Sequence, residues 1–342
     1  MPDKIASRYK FSGVKSHIKM PDLGEIEKDL IEQSCYVCGA FDYESISEVD
    51  RYGFFYPTGM CKQCGNVQQE KYYDEKTLDI YYSKYYRNKG DNVDNDTKSL
   101  FDSQINGQGL AIFEFLKSVV NPKKVLEVGC GTGGVLSRYV DLGCEVLGLD
   151  FDENYLEYAR KKGIPVKNGS LDQLRYNEKY DLIILCHVLE HIPNPSRFLE
   201  TLSNHLADEG IIYIEVPSLD NVKNGGYKYD LLKYYQNAHA IHFTTKSLNL
   251  VCKKAGLKPI KMTKFIHSCW AKSVDTTVIS EEEKVDSLRY SKDLLVAIES
   301  NRKSLKAKLI EAKLLFRTMV SKILSVLGVR EIIRSVYFKM KK

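Results

Sequence analysis

From about residue 100 onward the chain alternates short apolar runs with amphipathic stretches. KVLEVG (124–129) is apolar and meets glycines at once, the pattern of a buried parallel strand. EVLGLD (145–150), IPVKNG (164–169), YDLIILCHV (180–188) and GIIYIEVP (210–217) predict four more strands. Between them LSRYVDLG, ENYLEYARKKG and SRFLETLSNHLADEG have helical spacing, as does GLAIFEFLKSVV (109–120) ahead of the first strand. After Pro217 the stretch LDNVKNGGYKYDLLKYYQNAHAIHF lacks a clear period. TTKSLNLVCKKAG (244–256) reads as a helix opened by Thr and closed by Gly. LKPIKMTKF and SCWAKSVD follow as two strands joined by a tight hairpin at Ile266–His267. Strand–helix alternation of this kind predicts an α/β fold with a doubly wound, mostly parallel sheet.

The ends differ from this body. Residues 1–30 are polar and read as a lead-in, and 31–70 form a strand-and-turn pattern around two Cys-x-x-Cys pairs. Residues 71–99 form a tyrosine-rich connector that runs into the polar stretch RNKGDNVDNDTKS, read as a linker or loop. Residues 100–280 hold the α/β domain, and 281–342 a basic helical tail. Between Leu305 and Leu327, Leu309, Leu315, Met319, Ile323 and Leu327 recur among Lys and Arg without a proline.

Composition narrows the class. Of 342 residues, 43% are hydrophobic and 28% charged, which excludes a disordered or collagen-like chain. No window approaches a membrane span, and the first twenty residues lack an apolar run of the signal-peptide kind, so the expectation is a cytoplasmic protein. Net charge is +5, but residues 301–342 carry twelve Lys or Arg against Glu311 and Glu331. The body is therefore acidic, and no nucleic-acid partner is expected.

Glu127-Val-Gly129-Cys-Gly131-Thr-Gly133-Gly134 joins the first strand to the next helix. Glycines there let the backbone approach a ligand and present N–H groups at a helix start. Asp150 ends the second strand, where its carboxylate can accept ribose hydroxyls. Gly129, Gly131 and Gly134 also satisfy G-x-G-x-x-G, which keeps a dinucleotide formally open. Glu127 separates the two cofactors: it would repel a pyrophosphate and suit the ammonium of a methionine moiety, unless it merely ends a strand in water.

VLEVGCGTGG, LGLD and YDLIILCHVLEHIPNPSRFLETLSNHLADEGIIYIEVP, in that order, resemble the class I S-adenosylmethionine-dependent methyltransferases over about residues 100–275. The resemblance implies a Rossmann-like, seven-stranded sheet whose last two strands form a hairpin. It implies S-adenosylmethionine as cofactor, with Gly129, Gly131 and Gly133 along the methionine part, Asp150 on the ribose and Phe151 beside the adenine. Ser170 and Leu171 match the adenine-contacting pair, although the family often has an acidic residue there. Cys186 and His187 would face cofactor and substrate.

Cys35-x-x-Cys38 and Cys61-x-x-Cys64, each beside a glycine, have the spacing that places four thiolates around one structural zinc ion. CYVCGA…MCKQCGNVQQ followed by YYSKYYRN resembles the zinc-binding region of bacterial deoxysugar C-methyltransferases and of capsule or O-antigen methyltransferases. By that resemblance the zinc ribbon and the connector cover the active-site mouth. Tyr82 and Tyr86 would contact cofactor or substrate, or else pack a helix on the sheet.

Methyl transfer needs alignment and, for a hydroxyl or an enolisable carbon, removal of a proton. The candidates for that chemistry are His191 with Glu190, and His239 or His242 in the segment after the fifth strand. His191 could instead only shape the cofactor pocket, and His242 only cap the next helix. The expected reaction is transfer of a methyl group to a sugar nucleotide or surface-polysaccharide acceptor. The alternatives are a small-molecule O-methyltransferase acting on a quinone or polyketide-like acceptor, and a non-catalytic module that keeps the fold. The tail would pack on its own domain, join a partner helix, or lie on the inner face of a membrane.

Overall fold

The computed structural model describes residues 30–81, 93–263, 266–275 and 277–305, and a few positions beyond, at 307–309, 312–313 and 320. The ribbon contributes β1 (Leu30–Glu32), β2 (Tyr43–Val49), β3 (Phe55–Cys61), β4 (Val67–Gln69) and β5 (Lys71–Tyr73), followed by α1 (Glu75–Ile80). Helix α2 (Val93–Ser103) widens into a π-helical stretch at Gln104–Gly109 and continues as α3 (Leu110–Leu116). The polar run read as a linker is thus helical from residue 93 onward. Thr97, Phe101 and Gln104 share one face and are buried, and the polarity of the other faces hid that period.

The α/β domain then follows in order: β6 (Lys124–Val128), α4 (Gly134–Asp141), β7 (Glu145–Asp150), α5 (Glu153–Lys161), β8 (Val166–Asn168) and β9 (Tyr180–Cys186). Next come α6 (Pro195–Ser203), β10 (Leu206–Glu215), α7 (Leu219–Lys223), α8 (Leu231–Tyr234), β11 (Ile241–His242) and α9 (Thr245–Lys254). The hairpin of β12 (Leu257–Met262) and β13 (His267–Lys272) precedes α10 (Glu281–Lys303).

Seven strands make one sheet in the order β12-β13-β10-β9-β6-β7-β8. The pairs among β8, β7, β6, β9 and β10 are parallel, and β13 runs antiparallel to both of its neighbours. The seven-stranded, doubly wound sheet and its terminal hairpin are those the sequence predicted, except that β10 begins at Leu206, within the stretch read as helix, and the hairpin turns ahead of His267, the first residue of β13. Alternate residues of the central strands feed opposite faces, which is why those strands read as continuous apolar runs. Leu126, Ile183, Leu185, Ile212 and Ile214 pack with Leu199, Leu202, Leu248 and Val251 on one side. Val125, Leu182, Ile184 and Tyr213 pack with Ile112, Leu116, Val135 and Leu156 on the other.

The ribbon is built into this body. Strand β11, which belongs to the segment after β10, pairs antiparallel with β4, Ile241 opposite Gln68 and His242 opposite Val67. A four-stranded sheet β11-β4-β3-β2 results. Its Ile46, Val49, Tyr56, Met60 and Val67 share a core with Leu219, Val222, Leu231, Tyr234 and Tyr235, and with Leu294, Leu295 and Ile298 of α10. Gly65 lies so close to α10 that a Cβ there would be 2.5 Å from the Leu288 Cα.

Helix α10 starts in a Ser280–Glu283 capping box and holds the body through Lys253–Glu283 (2.7 Å) and Lys246–Asp286 (2.6 Å). The first part of the basic tail therefore packs on its own chain. Leu315, Met319, Ile323 and Leu327 lie outside the described residues. Among the described residues no helix is long and apolar enough to cross a membrane.

Candidate active site and metal centre

The cofactor candidates converge at the carboxyl edge of the sheet, where ligands bind in open α/β folds. Gly129 has φ +74 and abuts Val188, whose Cγ2 would lie 2.5 Å from a Cβ at that position. Only glycine fits that turn without strain. Asp150 is pinned by two backbone donors, Gly131 N–H to Oδ2 (2.8 Å) and Asp152 N–H to Oδ1 (2.9 Å). Gln104, from the π-helical stretch, braces the loop. Its Oε1 accepts from Thr132 Oγ1 (2.6 Å) and Gly134 N–H (3.1 Å), and its Nε2 donates to the Cys130 carbonyl (3.1 Å). The sequence reading missed Gln104, which lies between the polar run ending at Ser99 and the helix expected at 109–120, in a stretch given no element.

Glu127 is buried at the end of β6, and among the described residues its Oε2 has no hydrogen-bond partner. Burial first, and the nearby Asp150 charge second, hold its carboxyl well above the ordinary carboxylate range. A buried acid with an orphaned oxygen suits a cationic group delivered by a ligand, so this edge fits an amino-acid ammonium. Phe151 is 62% exposed just past Asp150, open to a flat ring. Ser170 and Leu171, half-buried, open the turn after β8, with Ser170 N–H on Asp172 Oδ1 (3.0 Å). The Cys186 thiol is pushed up by burial and lies 2.8 Å from Gln108 Nε2. Tyr82 and Tyr86 lie outside the described residues.

His187 has φ 56, a left-handed conformation that costs a non-glycine residue about 1 kcal/mol and concentrates at functional sites. Its Nδ1 is 3.5 Å from Glu190 and its Nε2 3.5 Å from Glu215. Burial opposes its charge, but the two carboxylates outweigh burial and raise the imidazole to about 10. Glu215 is held in turn below the carboxylate range. Burial works against that, and His187 and His267 overcome it. Since an unfolded imidazole titrates near 6.5, the stabilisation is complete below about pH 6.5 and is lost as pH rises through about 10. Wild-type melting temperature is expected to fall between pH 7 and 10 more steeply than that of His187→Gln. Equal slopes in differential scanning calorimetry would contradict the held imidazolium.

Glu190, His191 and His239, all buried, form a second cluster. Glu190 Oε1 lies 3.8 Å from His191 Nε2 and 4.0 Å from His239 Nε2, and the two imidazoles meet edge to face at 4.9 Å. Burial above all depresses the His239 imidazole well below its usual value, and the nearby Arg51 charge adds to that. His242 stands apart, fully buried in a cage of Tyr235, Tyr234 and Tyr56 with ring centroids at 4.6, 5.3 and 6.1 Å. Burial pushes it down to about 3, so it is a neutral ring at any working pH.

The four ribbon cysteines converge as their spacing predicts. Cys35 and Cys64 sulfurs are 3.5 Å apart, Cys38 and Cys61 3.4 Å, and all four lie within 4.8 Å of one another. A tetrahedral ion with bonds of about 2.3 Å needs sulfur separations of about 3.8 Å. Both turns have the same build: Gly39 N–H on the Cys35 carbonyl (2.7 Å) and Gly65 N–H on the Cys61 carbonyl (2.9 Å). The set fits a structural metal.

Residues 110–262 match the family model described as "Methyltransferase domain". They form a class I, S-adenosylmethionine-dependent methyltransferase domain. That match spans less than half of the chain, and the chain is 27% identical over 179 residues to a ubiquinone biosynthesis O-methyltransferase of Histophilus somni, covering 44% of this chain and 74% of that protein. It is 36% identical over 103 residues to a protein of the same name from Proteus mirabilis, covering 27% of this chain and 40% of that protein. With a Rickettsia canadensis relative the share of the relative's length is 43%. A solved S-adenosylmethionine-dependent methyltransferase from Clostridium acetobutylicum overlaps 53% of this chain and 100% of its own, at 14% identity and a TM-score of 0.42.

Proposed function

We propose that the whole chain is an S-adenosylmethionine-dependent methyltransferase, stabilised by zinc, that methylates an acceptor held between the sheet edge and the segment 235–242. The observation that carries this reading is the buried Glu127 carboxyl with its orphaned oxygen beside Asp150 on the glycine turn. When bound, the cofactor supplies a methyl group on a sulfonium centre. Glu127 would hold its ammonium, Asp150 its ribose, and Phe151 with Leu171 its adenine. Cys35, Cys38, Cys61 and Cys64 would hold the zinc.

On the acceptor side His191 would take the proton from a hydroxyl or activated carbon, with Glu190 stabilising the charge that forms. His242 would serve the fold, since its ring is enclosed by tyrosines. The acceptor class we favour is a sugar nucleotide or surface polysaccharide. The support is the resemblance of the cysteine ribbon and the makeup of the acceptor side, where Glu190, His191, His239, Arg51 and Tyr227 are polar or titratable. The second reading is a quinone-type O-methyltransferase, favoured by the names of the relatives above. Membrane-surface contact through the tail belongs to either reading.

Calorimetric titration with S-adenosylmethionine, S-adenosylhomocysteine and NADH decides the cofactor. We expect saturable binding of both sulfur ligands and none of NADH; the reverse pattern overturns the proposal. A methyl-transfer assay against sugar nucleotides and catechol-type phenols then separates the two acceptor readings.

A further inference from the structure

We infer that the zinc ribbon selects the catalytic base, setting the proton position on His191 and occupying the competing nitrogen of His239. The inference rests on the acid–base role proposed for this site, and it adds Tyr72 and Arg51 of the ribbon as positioning residues.

The Ala238 carbonyl is the junction. It accepts from the Tyr72 hydroxyl (2.9 Å) and faces His191 Nδ1 at 2.9 Å. A carbonyl oxygen only accepts, so His191 carries its proton on Nδ1. Its basic nitrogen is then Nε2, the atom that faces Glu190 Oε1 at 3.8 Å. Tyr72 is fully buried in β5.

Arg51 makes the matching assignment at His239. Its guanidinium NH2 group donates to Gln236 Oε1, which turns the Gln236 amide nitrogen toward His239 Nε2. A guanidinium has no acceptor, so the amide cannot be reversed without losing this bond. Gln236 Nε2 therefore donates to His239 Nε2 and occupies the lone pair a base would use. The same segment is held along its length by the ribbon: Arg51 N–H to the Tyr235 carbonyl (3.0 Å), Asn237 N–H to Asp50 Oδ2 (3.0 Å), and Gln69 Nε2 (3.0 Å) together with the Tyr56 hydroxyl on the His239 carbonyl. Two histidines 4.9 Å apart are thereby made unequal, one a base and the other an acceptor of a hydrogen bond.

The test is nitrogen-15 NMR of the zinc-loaded full chain labelled at histidine, with Tyr72→Phe and Arg51→Met beside the wild type. Signals are assigned by their loss in His191→Asn and His239→Asn. We expect the Nδ1–H form at His191, with a hydrogen-bonded Nε2 at His239. Tyr72→Phe should move the His191 signals and lower kcat about tenfold, with affinity for S-adenosylhomocysteine within twofold. Arg51→Met should move the His239 signals and leave those of His191 in place. A mere folding role would lower the melting temperature of either variant without these selective shifts. An Nε2–H form at His191 in the wild type overturns the inference, as do His191 signals and kcat unchanged in Tyr72→Phe. The spectra do not depend on turnover, so a failure of the methyltransferase reading would show separately, in the calorimetry.

Discussion

Glu127→Gln is expected to weaken S-adenosylmethionine binding about 100-fold, equivalent to about 2.7 kcal/mol. The same change should raise the melting temperature of the ligand-free protein at pH 8. Both effects come from one buried carboxyl. In the free protein, burial and the Asp150 charge hold Glu127 above the carboxylate range, so the folded state keeps a proton that the unfolded chain has released. Stability from this group is therefore lost as pH rises above the ordinary carboxylate value. Glutamine has no proton to lose and removes that penalty. With the cofactor's ammonium present, the ionised carboxylate becomes the favoured form, so wild-type affinity should increase with pH while that of Glu127→Gln stays flat. Calorimetry at pH 6, 7 and 8 reads both. An unchanged affinity would mean that Glu127 merely ends a strand.

Removing the metal is the second large perturbation. Chelation, or Cys61→Ser, is expected to abolish methyl transfer and to lower the melting temperature by more than about 10 °C, because metal binding to such a site is folding free energy of about 10 kcal/mol or more. The loss should spread beyond the ribbon. Strand β4 carries β11, and the ribbon shares its core with α7, α8 and α10, so an unravelled ribbon exposes Leu219, Tyr234, Leu294 and Ile298. Hydrogen exchange after chelation should therefore rise in 235–242 and in α10 as well as around the cysteines. Zinc content measured on the purified protein anchors the experiment. A protein that holds no metal and melts unchanged after chelation would refute the structural-zinc proposal.

The parallel sheet was legible because each central strand is buried on both faces. LIIL and IIYI have no other reading once glycines and amphipathic stretches bracket them. The glycine turn and the two Cys-x-x-Cys pairs were legible for a related reason: each is local, and close backbone approach or metal spacing leaves few choices of residue. Helix α2 was not, since its polar faces outnumber the Thr97, Phe101 and Gln104 stripe. Gln104 shows the general limit, because its work is done on Thr132 and Gly134, which lie about thirty positions along the chain.

By itself the sequence determined the strands of the parallel sheet and their order, the glycine turn between Glu127 and Asp150, and the two cysteine pairs proposed here to hold a metal. All of these follow from short-range constraints on φ, burial period and spacing. Only the tertiary structure decided how the histidines differ. It placed His242 in a tyrosine cage, brought His239 to Glu190 and His191, and set Tyr72 and Arg51 of the ribbon against both. The ribbon's contacts among these join residues more than a hundred positions apart, beside β11 pairing with β4, a two-residue strand too short to announce itself. A histidine's proton position depends on which atom faces each nitrogen, and no spacing along the chain carries that information.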